Sequence, residues 1–186
     1  MSKHEGDLNI IEQAARVCVQ AHGGQVRKGD GQPYLVHPVM VALKLAQHGF
    51  PDAVIAAVLV HDVLEDTDYP EERFRAELGD EVYTIVKAVT HNESLPWEEK
   101  KMQYIEQVRK GTEGAKAIAI ADKIHNLESL FLAHAEQGVE VWKRFNRGKE
   151  KKLWFEQEVL EMLKETWPHP LVDEYARLLE KEKNLE

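Results

Sequence analysis

Apolar residues recur at intervals of three and four positions along most of the chain, a spacing that predicts amphipathic α-helices. Glycine and proline interrupt this pattern where helices are expected to end or begin, as at Gly23, Pro38, Gly49 and Pro51. No run shows the strict alternation of apolar and polar residues that is typical of a β-strand. The pattern therefore predicts an all-α helical bundle of about 8–10 helices.

The breaks also place the individual helices. They are predicted at Asp7 to about His22, Pro38 to Gly49, Pro51 to about Thr67, Glu71 to Leu78, Asp80 to Thr90, Pro96 to just before Gly111, Glu113 to about Glu136, Val139 to Phe145, Glu150 to Thr166, and about 170–183. No internal repeat or linker-like composition divides the chain. We therefore expect one domain over 1–186, with a core at about 8–165 on which the C-terminal helix packs.

Composition narrows the functional classes. The 186 residues include 24 Lys and Arg against 33 Asp and Glu, a formal net charge of −9, which argues against a nucleic-acid or anionic-membrane binder. The longest apolar stretch, 53–60, is too short to span a bilayer, and the N-terminus lacks a signal-peptide pattern. We expect a cytoplasmic protein whose single cysteine, Cys18, is a buried packing residue.

The most informative motif lies at the end of an apolar run. If residues 61–66 continue the helix, His61, Asp62, Glu65 and Asp66 fall within an arc of roughly 140°. Ionised carboxylates beside apolar side chains repel one another and resist desolvation unless a cation or protons neutralise them. Because such a cluster of carboxylates is energetically unfavourable without a bound cation or protons, it indicates that these side chains line a functional cavity.

A second polar stripe interrupts the apolar helix predicted at Glu113 to Glu136. Asp122, His125, Asn126 and Ser129 lie within an arc of about 100° on that helix. Two polar stripes on otherwise apolar helices are best explained if they face each other.

Four residues from three separated segments are candidate metal ligands: His37, His61, Asp62 and Asp122. Two imidazoles and two carboxylates form a mixed nitrogen and oxygen set, which suits a borderline divalent cation such as Mn²⁺, Fe²⁺ or Zn²⁺. These residue types alone do not identify the metal.

The order of these residues resembles the H…HD…D pattern of the HD phosphohydrolase superfamily. More narrowly, four stretches are similar to the hydrolase domain of the Rel/SpoT alarmone enzymes: Gln25-Val26-Arg27-Lys28, Pro33 to Pro38, His61 to Thr67, and Ala121 to Leu127. The likeness covers about residues 8–132. Because the sequence ends at Glu186 without a synthetase region, it resembles the stand-alone small alarmone hydrolases.

The resemblance implies a fold, an activity and residue roles. The expected protein is an all-α, Mn²⁺-dependent hydrolase, with other divalent ions possible, that removes the 3′-pyrophosphate of (p)ppGpp by metal-activated water and leaves GDP or GTP. The family's roles fall on the following residues: His37, His61, Asp62 and Asp122 as metal ligands, Glu65 and Asp66 as the catalytic pair, and Arg27, Lys28, Asn126 and Ser129 as contacts to the nucleotide. The expected partner is therefore a small nucleotide, with no nucleic acid and no membrane.

Alternatives remain open at this point. Glu128 stands where the family often has arginine, so an adenine alarmone such as (p)ppApp competes with the guanine form. Another HD activity, dephosphorylation of a nucleotide or of NADPH, is a second alternative, and an alarmone sensor without turnover is a third. Two basic clusters, Lys100-Lys101 and the window 143–152, either neutralise a leaving pyrophosphate or form solvated faces.

Overall fold

Nine α-helices and one 3₁₀ helix form the regular structure of residues 8–27 and 31–186, the part of the chain that this computed structural model describes. The α-helices are α1 (Ile10–His22), α2 (Val36–Gln47), α3 (Asp52–Leu59), α4 (Val63–Asp66), α5 (Glu71–Val89), α6 (Trp97–Lys110), α7 (Glu113–Gln137), α8 (Gly148–Thr166) and α9 (Pro170–Lys183), and the 3₁₀ helix is Gly138–Arg144. The only β geometry within these ranges is an isolated bridge between Val26 and Pro33. The all-α prediction is confirmed.

Local side-chain chemistry sets several helix ends. The Asn9 side chain accepts a hydrogen bond from the Ile11 N–H, so α1 begins at Ile10, later than predicted. The expected cap, Asp7, lies outside the described residues. Gly79 has a φ of 79° and bends α5 where the pattern predicted a break between two helices.

One predicted helix is wrong. The pattern indicated a continuous helix from Pro51 to about Thr67, but α3 ends at Leu59, and His61 lies in a turn before α4. The His61 ring donates from Nδ1 to the Val58 carbonyl oxygen at 2.7 Å, and a continuing helix would offer that oxygen to the Asp62 N–H. The local competition ends the helix and turns the imidazole inward.

Two helices form the centre of the bundle. Six of the eight residues of α3 are buried, and α3 contacts α1, α2, α5 and α7. A Cβ placed on Gly114 at the start of α7 would lie 2.8 Å from Val54 Cγ2 of α3. The missing side chain therefore allows these two helices to approach closely.

The C-terminal helix α9 packs on α7 and α8. A buried ionic cluster joins it to α8: Lys152 Nζ donates to Glu156 Oε1 at 2.6 Å and also to Glu182 Oε1. Burial, followed by the neighbouring Glu156, raises the pKa of Glu182 to about 8. We refer to Lys152, Glu156 and Glu182 as the α8–α9 cluster.

Two other lysines of the basic window make ordinary surface contacts. Lys143 pairs with Glu140, and Lys151 pairs with Glu98 at 3.2 Å. These contacts favour the interpretation of the window as a surface and structural feature. None of the helices that the structure describes is long and apolar enough to cross a membrane.

Candidate metal centre and substrate cavity

The three segments predicted to carry metal ligands meet at one point. His37 comes from the first turn of α2, the His61-Asp62 pair from the turn between α3 and α4, and Asp122 from the middle of α7. His37 Nε2 lies 3.1 Å from Asp122 Oδ1 and 3.7 Å from Asp62 Oδ2. One ligand atom each from His37, His61 and Asp122 lies within 4.8 Å of the others. We call His37, His61, Asp62 and Asp122 the four-residue centre.

The orientation of the His61 ring favours a cation. Because Nδ1 donates to the Val58 carbonyl, Nε2 carries the lone pair in the neutral ring. This Nε2 is buried and has no hydrogen-bond partner within the described ranges, although Asp62 Oδ2 is 3.3 Å away. Burial lowers the pKa of His61, but Asp62 and Asp122 outweigh it and raise the pKa to about 9. A metal ion bound here would neutralise the same carboxylates that, in its absence, stabilise a proton on His61.

His37 is fixed from behind by a third imidazole. The two Nδ1 atoms of His37 and His125 lie 2.8 Å apart, so one ring donates and the other accepts. Burial, and then the nearby His37 and Arg27, lower the pKa of His125 to about 4. A neutral His125 can accept from His37 Nδ1–H, which leaves His37 Nε2 free to bind a metal.

Asp62 is supported by Tyr34, a residue of the Pro33 to Pro38 stretch for which the sequence predicted no role. The Tyr34 hydroxyl donates to Asp62 Oδ2, and the Tyr34 ring packs against His22 with centroids 4.5 Å apart. Burial and the Asp62 carboxylate raise the pKa of Tyr34, which keeps the hydroxyl protonated. Tyr34 therefore orients Asp62 as an outer-shell hydrogen-bond donor.

Asp122 stays ionised although it is partly buried. Burial alone raises the pKa of its carboxyl group, but the nearby imidazoles of His37 and His61 outweigh this effect and hold the pKa well below the usual range. Asn126 Nδ2 also donates to Asp122 Oδ1 at 2.7 Å. The carboxylate is thus ready to bind a cation.

A cavity of about 250 Å³ opens onto the four-residue centre. Glu65 and Asp66 line it, as do Arg27, Lys123 and Asn126. Lys123, for which no role was predicted from the sequence, is buried, and its ammonium group lies 4.5 Å from the centroid of the Phe155 ring. The wall of the cavity therefore combines an acidic pair with two cationic side chains.

Three of the predicted nucleotide contacts form one hydrogen-bonded group. Arg27 Nη1 donates to Ser129 Oγ and Arg27 Nη2 donates to Asn126 Oδ1, each at 3.0 Å. The fourth predicted contact, Lys28, lies outside the described residues. Glu128 faces elsewhere and pairs with Lys44 at 3.1 Å, so its difference from the family pattern leaves the cavity wall unchanged.

The donor set fits a divalent cation. It combines two histidine nitrogens with carboxylate oxygens, and a further hydrogen bond orients each of the two imidazole rings. One of the two nitrogens, Nε2 of His61, is buried and has no hydrogen-bond partner among the described residues. Such a mixed set is typical of Mn²⁺, Fe²⁺ and Zn²⁺ sites. The centre can therefore place a Lewis acid in the wall of a cavity that also contains cationic side chains.

Comparison with known proteins agrees with this geometry. The family model described as "HD domain" matches residues 14–147. A Mus musculus protein named guanosine-3′,5′-bis(diphosphate) 3′-pyrophosphohydrolase MESH1 is 38% identical over 121 residues, which cover 63% of this chain and 68% of that protein. The Homo sapiens protein of the same name is 37% identical with the same coverage.

Solved structures give the same result. A Listeria monocytogenes EGD-e crystal structure matches with a TM-score of 0.71 and 40% identity, covering 78% of this chain and 97% of that one. A metazoan orthologue of SpoT, described as hydrolysing ppGpp, has a TM-score of 0.76 at 24% identity, covers 97% of this chain and 98% of its own, and shows the shared fold. The resemblance predicted from the motifs is confirmed, and the chain belongs to the HD domain family.

Proposed function

We propose that this protein hydrolyses (p)ppGpp-type alarmones at the 3′ position, releasing pyrophosphate and leaving GDP or GTP. The observation that carries the proposal is the buried, unpaired Nε2 of His61, which lies beside two carboxylates that line a cavity. The names of the mouse and human relatives supply the reaction.

The four-residue centre would hold one divalent cation, and Mn²⁺ is the ion we propose. Its mixed nitrogen and oxygen donors support a borderline ion, although Mn²⁺ lies lowest in the divalent affinity series and must be favoured by geometry and availability. When bound, the cation withdraws charge from phosphoryl oxygens and lowers the pKa of water.

Glu65 and Asp66 are proposed as the catalytic pair. Burial raises the pKa of Glu65, but hydrogen bonds from His91 outweigh it, and the net pKa is lowered. An ionised carboxylate at the cavity wall can orient a water molecule and accept its proton. Asp66 lines the same cavity, which supports the proposal that it shares this role.

The remaining cavity residues are proposed to bind the nucleotide. The planar Arg27 guanidinium can stack on a purine, and its hydrogen bonds to Asn126 and Ser129 hold it against α7. The buried ammonium of Lys123 can offset the charge of the leaving pyrophosphate.

A substrate panel with the metal varied tests the proposal. Purified protein is incubated with ppGpp, ppApp, GTP and NADPH, each with Mn²⁺, Zn²⁺, Mg²⁺ or EDTA, and pyrophosphate is scored separately from orthophosphate. We expect metal-dependent pyrophosphate release from ppGpp, with Mn²⁺ the best ion. Orthophosphate alone would instead support a nucleotide or NADPH phosphatase, and binding without turnover would support a sensor.

A further inference from the structure

His91, the first residue after α5 and its cap Thr90, holds one oxygen of Glu65 from two directions. Its backbone N–H lies 2.9 Å from Glu65 Oε2, and its Nδ1 lies 3.1 Å from the same atom. Both hydrogen bonds to Glu65 within the described residues fall on Oε2. Oε1 is therefore the oxygen left to accept from water.

The ring of His91 is itself held firmly. It stacks on Tyr104 with centroids 4.3 Å apart and planes 10° from parallel, and only 14% of its side chain is exposed. Tyr104 is buried in α6, and the ring of Phe155 of α8 packs against both Tyr104 and His91. A ring clamped in this way can fix the direction of a hydrogen bond.

Lys101 determines which nitrogen of His91 carries the proton. Lys101 Nζ lies 3.0 Å from His91 Nε2, and an ammonium group can only donate. His91 Nε2 must then accept, so the proton of the neutral ring sits on Nδ1, where it points at Glu65. The contacts form a directed chain from Lys101 through His91 to Glu65.

Burial and the surrounding charges keep the His91 ring neutral and Lys101 in its ammonium form. Burial lowers the pKa of His91, and the ammonium groups of Lys101 and Lys123 oppose a positive charge on the ring, while Glu65 favours one. The net pKa is lowered, so the ring is neutral near pH 7 and keeps its accepting nitrogen. Burial and Lys123 lower the pKa of Lys101 to about 8, so the side chain is still mostly an ammonium group at pH 7.

We infer that His91 is a positioning residue, which orients the Glu65 carboxylate through an Nδ1–H donor whose direction Lys101 determines. The inference rests on the proposed function, because Glu65 is taken as the group that accepts the proton from water. The HD motif residues and the predicted site do not include His91, which lies in the polar loop between α5 and α6.

Three substitutions separate this role from general packing. Asparagine can place its amide nitrogen near the position of Nδ1, whereas glutamine places its amide farther out toward Lys101, and alanine has no donor. We expect His91→Ala and His91→Gln to lower kcat with ppGpp about tenfold while KM changes little, and His91→Asn to recover most of the loss. His134→Ala, in the last turn of α7, is the matched control.

The pH profile gives a signature that a packing defect would not produce. Loss of the Nδ1–H donor raises the pKa of Glu65, because a hydrogen bond to the charged form is removed. The acidic limb of kcat against pH should therefore move upward in His91→Ala and return in His91→Asn. Unchanged kcat and an unchanged acidic limb in a folded His91→Ala protein would overturn the inference.

A spectroscopic measurement keeps this test independent of the reaction. In ¹⁵N spectra of labelled protein, His91 should show a protonated Nδ1 and a bare Nε2, and Glu65→Ala should shift the Nδ1 resonance. A proton on Nε2 would overturn the inference even if the enzyme is active. If wild-type protein released no pyrophosphate but the Nδ1–H tautomer was present, the proposed function would fail while the contact stood.

Discussion

Carboxylates that are partly or fully buried occur in two regions of this molecule, and their partners differ. In the four-residue centre, Asp62 and Asp122 face imidazole nitrogens and a cavity. In the α8–α9 cluster, Glu156 and Glu182 share the ammonium of Lys152 and lie between two packed helices. Carboxylates that lie beside imidazole nitrogens with free lone pairs can bind a cation together with those nitrogens. Carboxylates whose charge is already balanced by a lysine and a bound proton instead form a structural contact.

Removing an imidazole tests the first region with the largest expected effect. His61→Ala should abolish metal binding and lower turnover by more than about 100-fold, beyond the usual loss from an outer-shell change. Metal content by mass spectrometry of the native protein and pyrophosphate release are the measurements. Glu182→Gln is the matched control, and it should retain both properties if the two regions differ as described.

Removing the proposed base should separate binding from chemistry. Glu65→Gln should retain metal and bind ppGpp with nearly unchanged affinity but lose about 10²–10⁴-fold in kcat, because the amide cannot accept the proton. Calorimetric titration measures binding, and single-turnover kinetics measure the chemical step. Turnover close to that of the wild type would exclude Glu65 as the base.

Arg27→Lys should have an intermediate effect. The lysine retains the charge but cannot donate to Asn126 and Ser129 in the same fork or stack on a base as well, so KM for ppGpp should rise about tenfold. The change in kcat should be smaller. Lys143→Ala, which removes a surface cation paired with Glu140, should leave both constants unchanged and is the comparison.

The α8–α9 cluster should affect the pH dependence of the free energy of unfolding rather than the activity. The folded-state pKa of Glu182 is raised to about 8 from an ordinary 4.5, so the folded state binds more protons between these values. The free energy of unfolding should therefore fall as pH rises from 4.5 to 8. Glu182→Gln should flatten this decline and stabilise the protein above pH 8 by about 1–2 kcal/mol.

Urea denaturation at pH 6 and pH 9 measures this effect. Glu180→Gln is the matched control, because Glu180 is exposed and pairs only with Lys183 at 3.3 Å among the described contacts of its carboxylate. Equal pH dependence in wild type and Glu182→Gln would contradict a raised pKa in the cluster.

The sequence predicted the helical fold and the meeting of the three segments because both depend on periodicity and motif spacing. It misplaced His61 on a continuous helix, since the hydrogen bond from its ring to Val58 is a local event that periodicity does not encode. The roles of Tyr34 and His91 depend on contacts 28 and 26 positions away along the chain, to Asp62 and Glu65. His125 was visible in the polar stripe, but its pairing with His37 required the fold.

The close approach of α3 and α7 at Gly114 has a consequence for how this centre can vary. Asp122 lies eight positions further along α7, about 12 Å in rise, and His61 lies two positions after the last residue of α3. A side chain at position 114 would push against Val54 and spread the two supports that carry these ligands. A substitution at position 114 would therefore change the affinity for the cation, although this residue touches neither the ion nor the nucleotide. The properties of the four-residue centre can thus change through substitutions far from the ligands.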